Sequence, residues 1–175
     1  MSAAIPESGT APTRSWGPFA RTLRALGRRP WFAALGRRLA PLDAWLYRRT
    51  NGRLGITGPG GLVYPSLLLT TTGRRSGLPR STPVMYVSDG EGLAISCENF
   101  GQQRPAAWPL NLEANPLAEV QIRGRSATYL ARRASAAEVE RLWPRFVEIW
   151  PAHESYLERS GVRKMFILEP EDRPC

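Results

Sequence analysis

Hydrophobic residues in the first third of the chain recur at the spacing of an amphipathic helix, and arginines occupy many of the positions between them. Pro18, Pro30 and Pro41 interrupt this pattern, and because proline disrupts a helix interior we expect several short helices here. Each predicted segment is too short and too charged to span a bilayer. The apolar positions of the pattern are Trp16, Phe19, Leu23, Leu26, Trp31, Phe32, Leu35, Leu39, Leu42, Trp45 and Leu46.

From about residue 62 the hydrophobic pattern becomes that of β-strands, rich in Leu, Val, Tyr and Thr. Glycine-containing turns at 73–77 and 89–92 divide this stretch, and Pro83 near the start of the second strand is placed where a missing N–H does least harm. Three antiparallel strands in sequence would form a meander. The predicted strands are 62–72, 81–88 and 93–97.

The second half of the chain alternates between predicted helices and strands. Ser135, followed three residues later by Glu138, is typical of a capping box at the start of a helix. An Asn115-Pro116 pair ends the helix before it. The predicted helices are 106–114 and 135–150, with a further helical segment after 150, and the predicted strands are 117–122, 127–131 and 163–168.

This order of elements predicts an α+β fold, a small closed or half-closed antiparallel β-barrel with flanking helices and an N-terminal helical extension. It lacks the regular alternation of a doubly wound fold and has no G-x-G-x-x-G or P-loop sequence. We predict two parts: a basic amphipathic helical segment over 1–50 and a barrel domain over 51–175.

The positive charge is concentrated in the N-terminal segment. The 175-residue chain has a net charge of +9, and residues 1–53 contain ten arginines against only Glu7 and Asp43. Three interpretations stay open: helices packed on the domain, attachment to an anionic membrane surface, and nucleic-acid binding, the last being disfavoured by the interleaved apolar residues. No signal peptide is apparent, so we expect a cytoplasmic protein that either is free or lies peripherally on the inner membrane face.

This composition offers few residues for metal binding or for hydrolysis. The chain has two cysteines, Cys97 and Cys175, and a single histidine, His153. No Cys-x-x-Cys or His-x-x-x-His sequence occurs, so we expect no metal site. The sequence also shows no set of residues for a histidine-based catalytic triad.

The turn between the first two predicted strands is the strongest candidate for ligand binding. Residues 70–83 read TTTGRRSGLPRSTP, which places Arg74, Arg75 and Arg80 on a turn flanked by Gly73 and Gly77. The glycines are expected to let the backbone bend and expose N–H groups. Such a turn would hold a phosphate or a carboxylate.

Two stretches in this order, LLLTTTGRRSGLPRSTPVMYV and ISCENFGQQRPAAWPLNLEANP, resemble the deazaflavin-dependent nitroreductase family of actinobacteria. The resemblance covers roughly residues 47–170. It implies a split β-barrel related to flavin-mononucleotide-binding oxidoreductases, and it implies the coenzyme F420, an 8-hydroxy-5-deazaflavin with a phosphate and an oligoglutamate tail.

The resemblance also implies which residues bind this coenzyme. The arginine turn would hold the phosphate and the tail, because arginine forks suit both groups. The second strand and the second motif would line the ring. The implied coenzyme-binding residues are Arg74, Arg75, Ser76, Gly77, Arg80, Thr82, Pro83, Met85, Ser96, Cys97, Glu98, Asn99, Gly101, Ala107, Trp108 and Asn111. Trp108 serves equally well as a core anchor of its helix.

The expected activity is hydride transfer from the reduced coenzyme to an electron-poor acceptor. Trp150, His153 and Tyr156 match a tyrosine-rich substrate segment of the family, and their spacing of three would place them on one helical face. We expect a quinone or another conjugated or nitro compound as acceptor, with His153 as a candidate proton donor. The alternatives are an enzyme that binds flavin mononucleotide and a non-catalytic protein that binds F420 or a membrane surface. Pairing of family members leaves a homodimer open.

Overall fold

The computed structural model describes residues 18–50 and 64–171. Within this part of the chain, six antiparallel strands close into a barrel in the order β1-β2-β3-β6-β5-β4. The strands are β1 (Ser66–Thr72), β2 (Pro79–Asp89), β3 (Gly92–Ser96), β4 (Leu117–Ile122), β5 (Arg125–Arg133) and β6 (Met165–Pro170). The helices are α1 (Pro18–Gly27), α2 (Pro30–Arg49), α3 (Ala107–Ala114), α4 (Ala136–Ile149) and α5 (Ala152–Ser160).

Alternation of small and large residues fills the barrel interior. In β5, Ala127, Tyr129 and Ala131 point inward while the residues between them are exposed, as a strand with one buried face requires. Leu69 and Val120, paired across β1 and β4, are fully buried in the same cluster. Each strand pairs with a neighbour on either side, and this closes the sheet into a barrel.

The predicted barrel is confirmed, and the strand bounds shift by a few residues. β2 begins at Pro79 and reaches Asp89, longer at both ends than predicted, and Pro83 pairs with Leu68 inside it. The capping box at the start of α4 is also confirmed, since Ser135 Oγ accepts from the Glu138 N–H and the Glu138 carboxylate accepts from the Ser135 N–H. Predictions that concern residues 1–17, 51–63 and 172–175, including those for Arg14, Leu62 and Cys175, lie outside the described residues.

The prediction that Pro41 divides the N-terminal helices is wrong. α2 runs for 20 residues with Pro41 inside it. An interior proline costs about 3 kcal/mol, but packing on both sides of it offsets this loss. Ala33 packs against the buried side chain of Trp150, while Ala44 and Tyr47 pack against Leu68 of β1. Pro30 stands in the first turn of α2, where a proline is tolerated.

The N-terminal helices pack on the barrel and its flanking helices. The Arg24 guanidinium donates to the Glu148 carbonyl, and the Tyr47 hydroxyl donates to the Ser66 carbonyl at 3.3 Å. The division into segments 1–50 and 51–175 stays a prediction, because its boundary falls beside residues outside the description. None of the described helices combines the length and the apolar composition that a membrane crossing needs.

Candidate active site

A cavity of about 440 Å³ lies between α2, the β2 strand, the loop after β3 and the α4–α5 junction. Its lining is mainly apolar and aromatic. The lining residues are Phe32, Ala33, Leu35, Gly36, Leu39, Asp43, Tyr64, Ser66, Thr82, Pro83, Val84, Met85, Ser96, Glu98, Asn99, Phe100, Ala106, Trp108, Trp150, His153 and Tyr156. A volume of this size is in the range of small-molecule and cofactor pockets.

Ten of the residues predicted for the site line this cavity. Thr82, Pro83 and Met85 form the β2 wall, Ser96, Glu98 and Asn99 line the opposite side, and Trp108 of α3 is added to them. Trp108 also packs against Phe166 in the barrel core, so it is both an anchor of its helix and a lining residue. The remaining three are Trp150, His153 and Tyr156.

Trp150, His153 and Tyr156 do come together, but the prediction that they share one helical face is wrong. Trp150 ends α4 as its C-cap, and Pro151 separates it from α5, which carries the other two. The Trp150 Nε1–H donates to the Tyr156 hydroxyl at 3.3 Å, and that hydroxyl donates to the Gly27 carbonyl at 3.4 Å. Burial raises the pKa of the Tyr156 phenol, which keeps it protonated and able to donate at neutral pH.

The loop after β3 brings a carboxylate to the cavity wall. Asn99, Phe100 and Gly101 all have positive φ, at 46°, 57° and 78°. A Cβ at position 101 would lie 3.1 Å from the Tyr156 Cα, so glycine permits the loop to approach α5 closely. The loop thereby holds Glu98 beside α5, where its Oε2 lies 3.1 Å from His153 Nδ1.

The arginine turn lies outside the cavity. The side chains of Arg74, Arg75 and Arg80 are exposed, and none of them makes a hydrogen bond or an ion pair with another described residue. β2 connects the two places, because it contains Arg80 at its start and Thr82, Pro83 and Met85 along the cavity wall. The arginine turn and the cavity wall are therefore joined by a single strand.

The glycines let the turn bend as expected, but their own N–H groups are not exposed. The Gly73 N–H donates to the Leu78 carbonyl at 2.8 Å and the Gly77 N–H donates to the Gly73 carbonyl at 2.7 Å. The turn closes on itself in this way because Gly77 adopts φ of 66°. The N–H groups of these two glycines are therefore not available to a ligand.

Four other predicted residues, Cys97, Gly101, Ala107 and Asn111, do not line the cavity. Cys97 is buried in the barrel core, where burial raises the pKa of its thiol well above the ordinary value. The Asn111 amide supports the arginine turn: its Nδ2 donates to Thr71 Oγ1 at 3.0 Å, and its Oδ1 accepts from the Arg74 N–H at 3.1 Å. Asn111 therefore holds the turn through buried bonds.

The cavity wall contributed by α2 was missed from the sequence. Phe32, Leu35, Leu39 and Asp43 follow one another at spacings of three or four, so they lie along one stripe of the helix. The sequence does contain this stripe, as apolar residues at helical spacing beside a second set of apolar residues that includes Trp31 and Trp45. Helical periodicity located the stripe but could not show which surface of the protein it would cover.

A closed six-stranded barrel with a cofactor-sized apolar cavity defines the class of split-barrel proteins related to flavin-mononucleotide-binding oxidoreductases. The chain belongs to the F420H(2)-dependent quinone reductase family, whose model matches residues 40–168. The resemblance to deazaflavin-dependent enzymes is confirmed, with quinone reductase rather than nitroreductase as the family description.

Similar proteins agree with this membership. An F420H(2)-dependent quinone reductase of Mycobacterium tuberculosis is 41% identical over 88 residues, which are 50% of this chain and 58% of that protein. The matched region thus spans little more than half the length of that relative. A solved F420-H2 dependent reductase (FDR-A) is 31% identical with a TM-score of 0.55, covering 60% of this chain and 94% of the other. A structure described as a domain-swapped dimer is 29% identical with a TM-score of 0.56, covering 74% and 100%.

The residues present fit coenzyme F420, which the family implies. The apolar cavity suits a planar deazaflavin ring, and the exposed cations of the arginine turn suit a phosphate and a glutamate tail. The two features lie along one strand, as a ligand with a flat ring and a long anionic tail requires. Among the described residues, no group of three His, Cys, Asp or Glu side chains could hold a metal ion.

Proposed function

We propose that this protein transfers a hydride from reduced coenzyme F420 to a quinone, or to another electron-poor conjugated or nitro compound. The observation that carries the proposal is the run of β2 from Arg80 of the arginine turn to Thr82, Pro83 and Met85 in the wall of the cavity. The family membership and the naming of its relatives as quinone reductases support the same activity.

One group of site residues holds the coenzyme, and a second group positions the acceptor. Arg74, Arg75 and Arg80 hold the phosphate and the tail through charge-assisted hydrogen bonds. The β2 wall holds the ring, and when bound in reduced form the coenzyme supplies a hydride. Trp150 and Tyr156, joined by their hydrogen bond, form a rigid aromatic wall for the acceptor. Phe32 and Leu39 of α2 exclude water from the cavity.

Binding and turnover of the coenzyme test this proposal directly. Purified protein is titrated with oxidised F420 and, separately, with flavin mononucleotide, and binding is followed by fluorescence. Reduced F420 is then mixed with the protein and a panel of quinones and nitro compounds. We expect F420 to bind and to be oxidised fastest with a quinone. Tight binding of flavin mononucleotide alone would overturn the assignment of F420 as the cofactor. Bound reduced coenzyme that no acceptor oxidises would favour a non-catalytic protein that carries the coenzyme.

We also propose that the outer face of α2 attaches the protein to the anionic inner surface of the plasma membrane, with the barrel in the cytoplasm. Trp31, Leu42 and Trp45 are 58%, 53% and 50% exposed, and their spacing places them on one side of the helix. Exposed arginines, including Arg38 and Arg49, flank this row. Arginine beside Trp and Leu is typical of segments that bind anionic membrane surfaces. Attachment there would bring the barrel close to a quinone in the membrane.

Liposome sedimentation separates this attachment from pairing of two copies. The variant Trp31→Ser/Trp45→Ser is compared with the wild type on vesicles with and without anionic lipid. We expect the wild type to sediment only with anionic vesicles and the variant to stay in solution, while coenzyme binding is retained. A wild type that ignores vesicles but elutes as a dimer, and a variant that elutes as a monomer, would assign the row to a homodimer interface instead.

A further inference from the structure

A buried carboxylate–imidazole pair in the cavity wall has no role in the proposal above. Glu98 and His153 are 3% and 6% exposed, and both line the cavity. Glu98 Oε2 lies 3.1 Å from His153 Nδ1, while the other carboxyl oxygen, Oε1, accepts a short hydrogen bond from the Ser96 hydroxyl. The three polar side chains form one chain in an otherwise mainly apolar lining.

Stability alone does not explain this pair. Removing a carboxylate and an imidazolium from water is costly, and a well-packed hydrophobic pair of similar volume is often equally stable or more stable. His153 Nε2 is also buried without a hydrogen-bond partner among the described residues, whereas buried polar atoms are ordinarily paired. A buried polar pair with an unpartnered ring nitrogen, in the wall of a cofactor-sized cavity, is a candidate for a functional role.

The surroundings fix the imidazole in one orientation. The rings of Phe146 and Tyr156 lie edge-on to it, with centroids 5.5 and 5.8 Å away, and Trp143 lies at 6.0 Å. Ser96 holds Oε1 of the carboxyl group and so directs Oε2 toward the ring. The carboxyl group and the imidazole are therefore held in a defined arrangement beside the cavity.

We infer that Glu98 and His153, which share a proton between Oε2 and Nδ1, act together as the general acid that delivers one proton to the acceptor oxygen during reduction. This inference rests on the proposed function. A quinone that takes up a hydride, which is one proton with two electrons, becomes a hydroquinone monoanion. That anion needs one further proton to leave as neutral hydroquinone. The pair loses this proton, becomes a carboxylate beside a neutral imidazole, and recovers a proton from solvent before the next turnover.

The inference is tested with two variants and two acceptors. Glu98→Gln and His153→Asn keep a hydrogen bond between the two positions, and each removes one of the two ionisable groups of the pair. With a quinone, we expect kcat to fall by about 10²–10⁴-fold, the contribution of a positioned general acid. With an N-alkylphenazinium cation, whose reduction by hydride gives a neutral product, no second proton is needed, and we expect a loss of less than about threefold. F420 affinity is measured for both variants, so that a loss of coenzyme binding is distinguished from a loss of proton delivery.

The matched control is Glu154→Gln, which neutralises an exposed carboxylate next to His153 in the same helix. It is expected to reduce both acceptors at the wild-type rate. The inference would be overturned if variants of the pair reduce quinone at the wild-type rate. It would also be overturned if they lose activity equally with both acceptors. A wild type that binds no F420, or oxidises it with no acceptor, would overturn the proposed function itself.

A spectroscopic measurement tests the shared proton without turnover. Because His153 is the only histidine in the chain, histidine labelling gives a single imidazole signal in a nuclear magnetic resonance spectrum. We expect a far-downfield imidazole N–H proton, protected from exchange with water by burial, that is lost in Glu98→Gln and kept in Glu154→Gln. Its absence from the wild type would contradict the shared proton.

Discussion

Gly27, the last residue of α1, lies directly against the indole of Trp150 at the end of α4. A Cβ at position 27 would lie 2.9 Å from both Cε2 and Cη2 of the indole, and closer still to Cζ2. The Gly27 carbonyl also accepts the hydrogen bond of Tyr156. The N-terminal helices therefore contact the two aromatic residues that form one wall of the cavity.

Gly27→Ala is expected to lower the free energy of unfolding. Alanine favours the helix by up to about 1 kcal/mol, but overpacking against a buried ring costs about 1–3 kcal/mol. We expect a net loss of about 1–2 kcal/mol by urea denaturation and, because Trp150 must shift, a raised KM for the acceptor.

Gly36→Ala in α2 is the control for this substitution. The nearest atom to a Cβ there is Phe100 Cε1 at 3.4 Å, an ordinary contact, so the gain in helix propensity should dominate. We expect this variant to be as stable as the wild type or more stable. Equal stability of Gly27→Ala and Gly36→Ala would show that α1 does not press on Trp150 in solution.

Asn111→Ala is expected to destabilise the arginine turn. The substitution removes the amide that joins the Arg74 N–H to the Thr71 hydroxyl, and the loss of a partner by a buried or half-buried polar group costs about 1–3 kcal/mol. We expect about 2–4 kcal/mol less stability by denaturant titration, together with weaker F420 binding. Asn115→Ala, which removes an exposed bond to the Leu117 N–H, should cost less than about 1 kcal/mol.

The barrel was predictable because its strands carry their signals locally. Alternation in β5 and the glycine turns bounded the strands to within a few residues, and Ser135 with Glu138 located the start of α4. The turn residues and the strand at Thr82 to Met85 were likewise identified from adjacent sequence. These are properties of short segments, which one sequence reports well.

Contacts between distant segments were not predictable in the same way. α2 continues through Pro41 because of packing against Trp150 and Leu68, which lie far away in the sequence. The pairing of Glu98 with His153 joins residues 55 positions apart, and neither residue type signals the other. The sequence placed both residues among the candidates but could not show that they share a hydrogen bond.

Acid should remove part of the stability that Glu138 contributes. Its hydrogen bonds to Arg132, and then the Ser135 N–H, lower the pKa of this carboxyl to about 2. A pKa below the unfolded value means that the stabilisation is present above about pH 4.3 and is lost as pH falls toward 2. Because this surface pair is screened by solvent, we expect Glu138→Gln to cost only about 1 kcal/mol at pH 7.

The measurement is urea denaturation at a series of pH values from 7 to 2. The difference between wild type and Glu138→Gln should shrink as pH falls below about 4.3. Glu158→Gln, which changes an exposed carboxylate in α5, serves as the control and should show a smaller difference at pH 7. A Glu138→Gln difference that stays constant down to pH 2 would contradict the assignment.

Replacing Arg75 or Arg80 by alanine should weaken F420 binding while leaving the fold intact. Neither guanidinium bonds to another described residue, so little stability depends on them, whereas a charge-assisted bond to the coenzyme is worth about 1.5–3 kcal/mol. Arg125→Ala, at the exposed β4–β5 turn, is the control and should bind F420 like the wild type.

Because exposed contacts to a polyanionic tail are screened, wild-type affinity should fall with added salt, and each variant should show a flatter dependence. Flavin mononucleotide, which has a single phosphate and no glutamate tail, should show the weakest salt dependence. If both variants bind F420 with unchanged affinity and an unchanged salt dependence, the arginine turn is not the site of the tail.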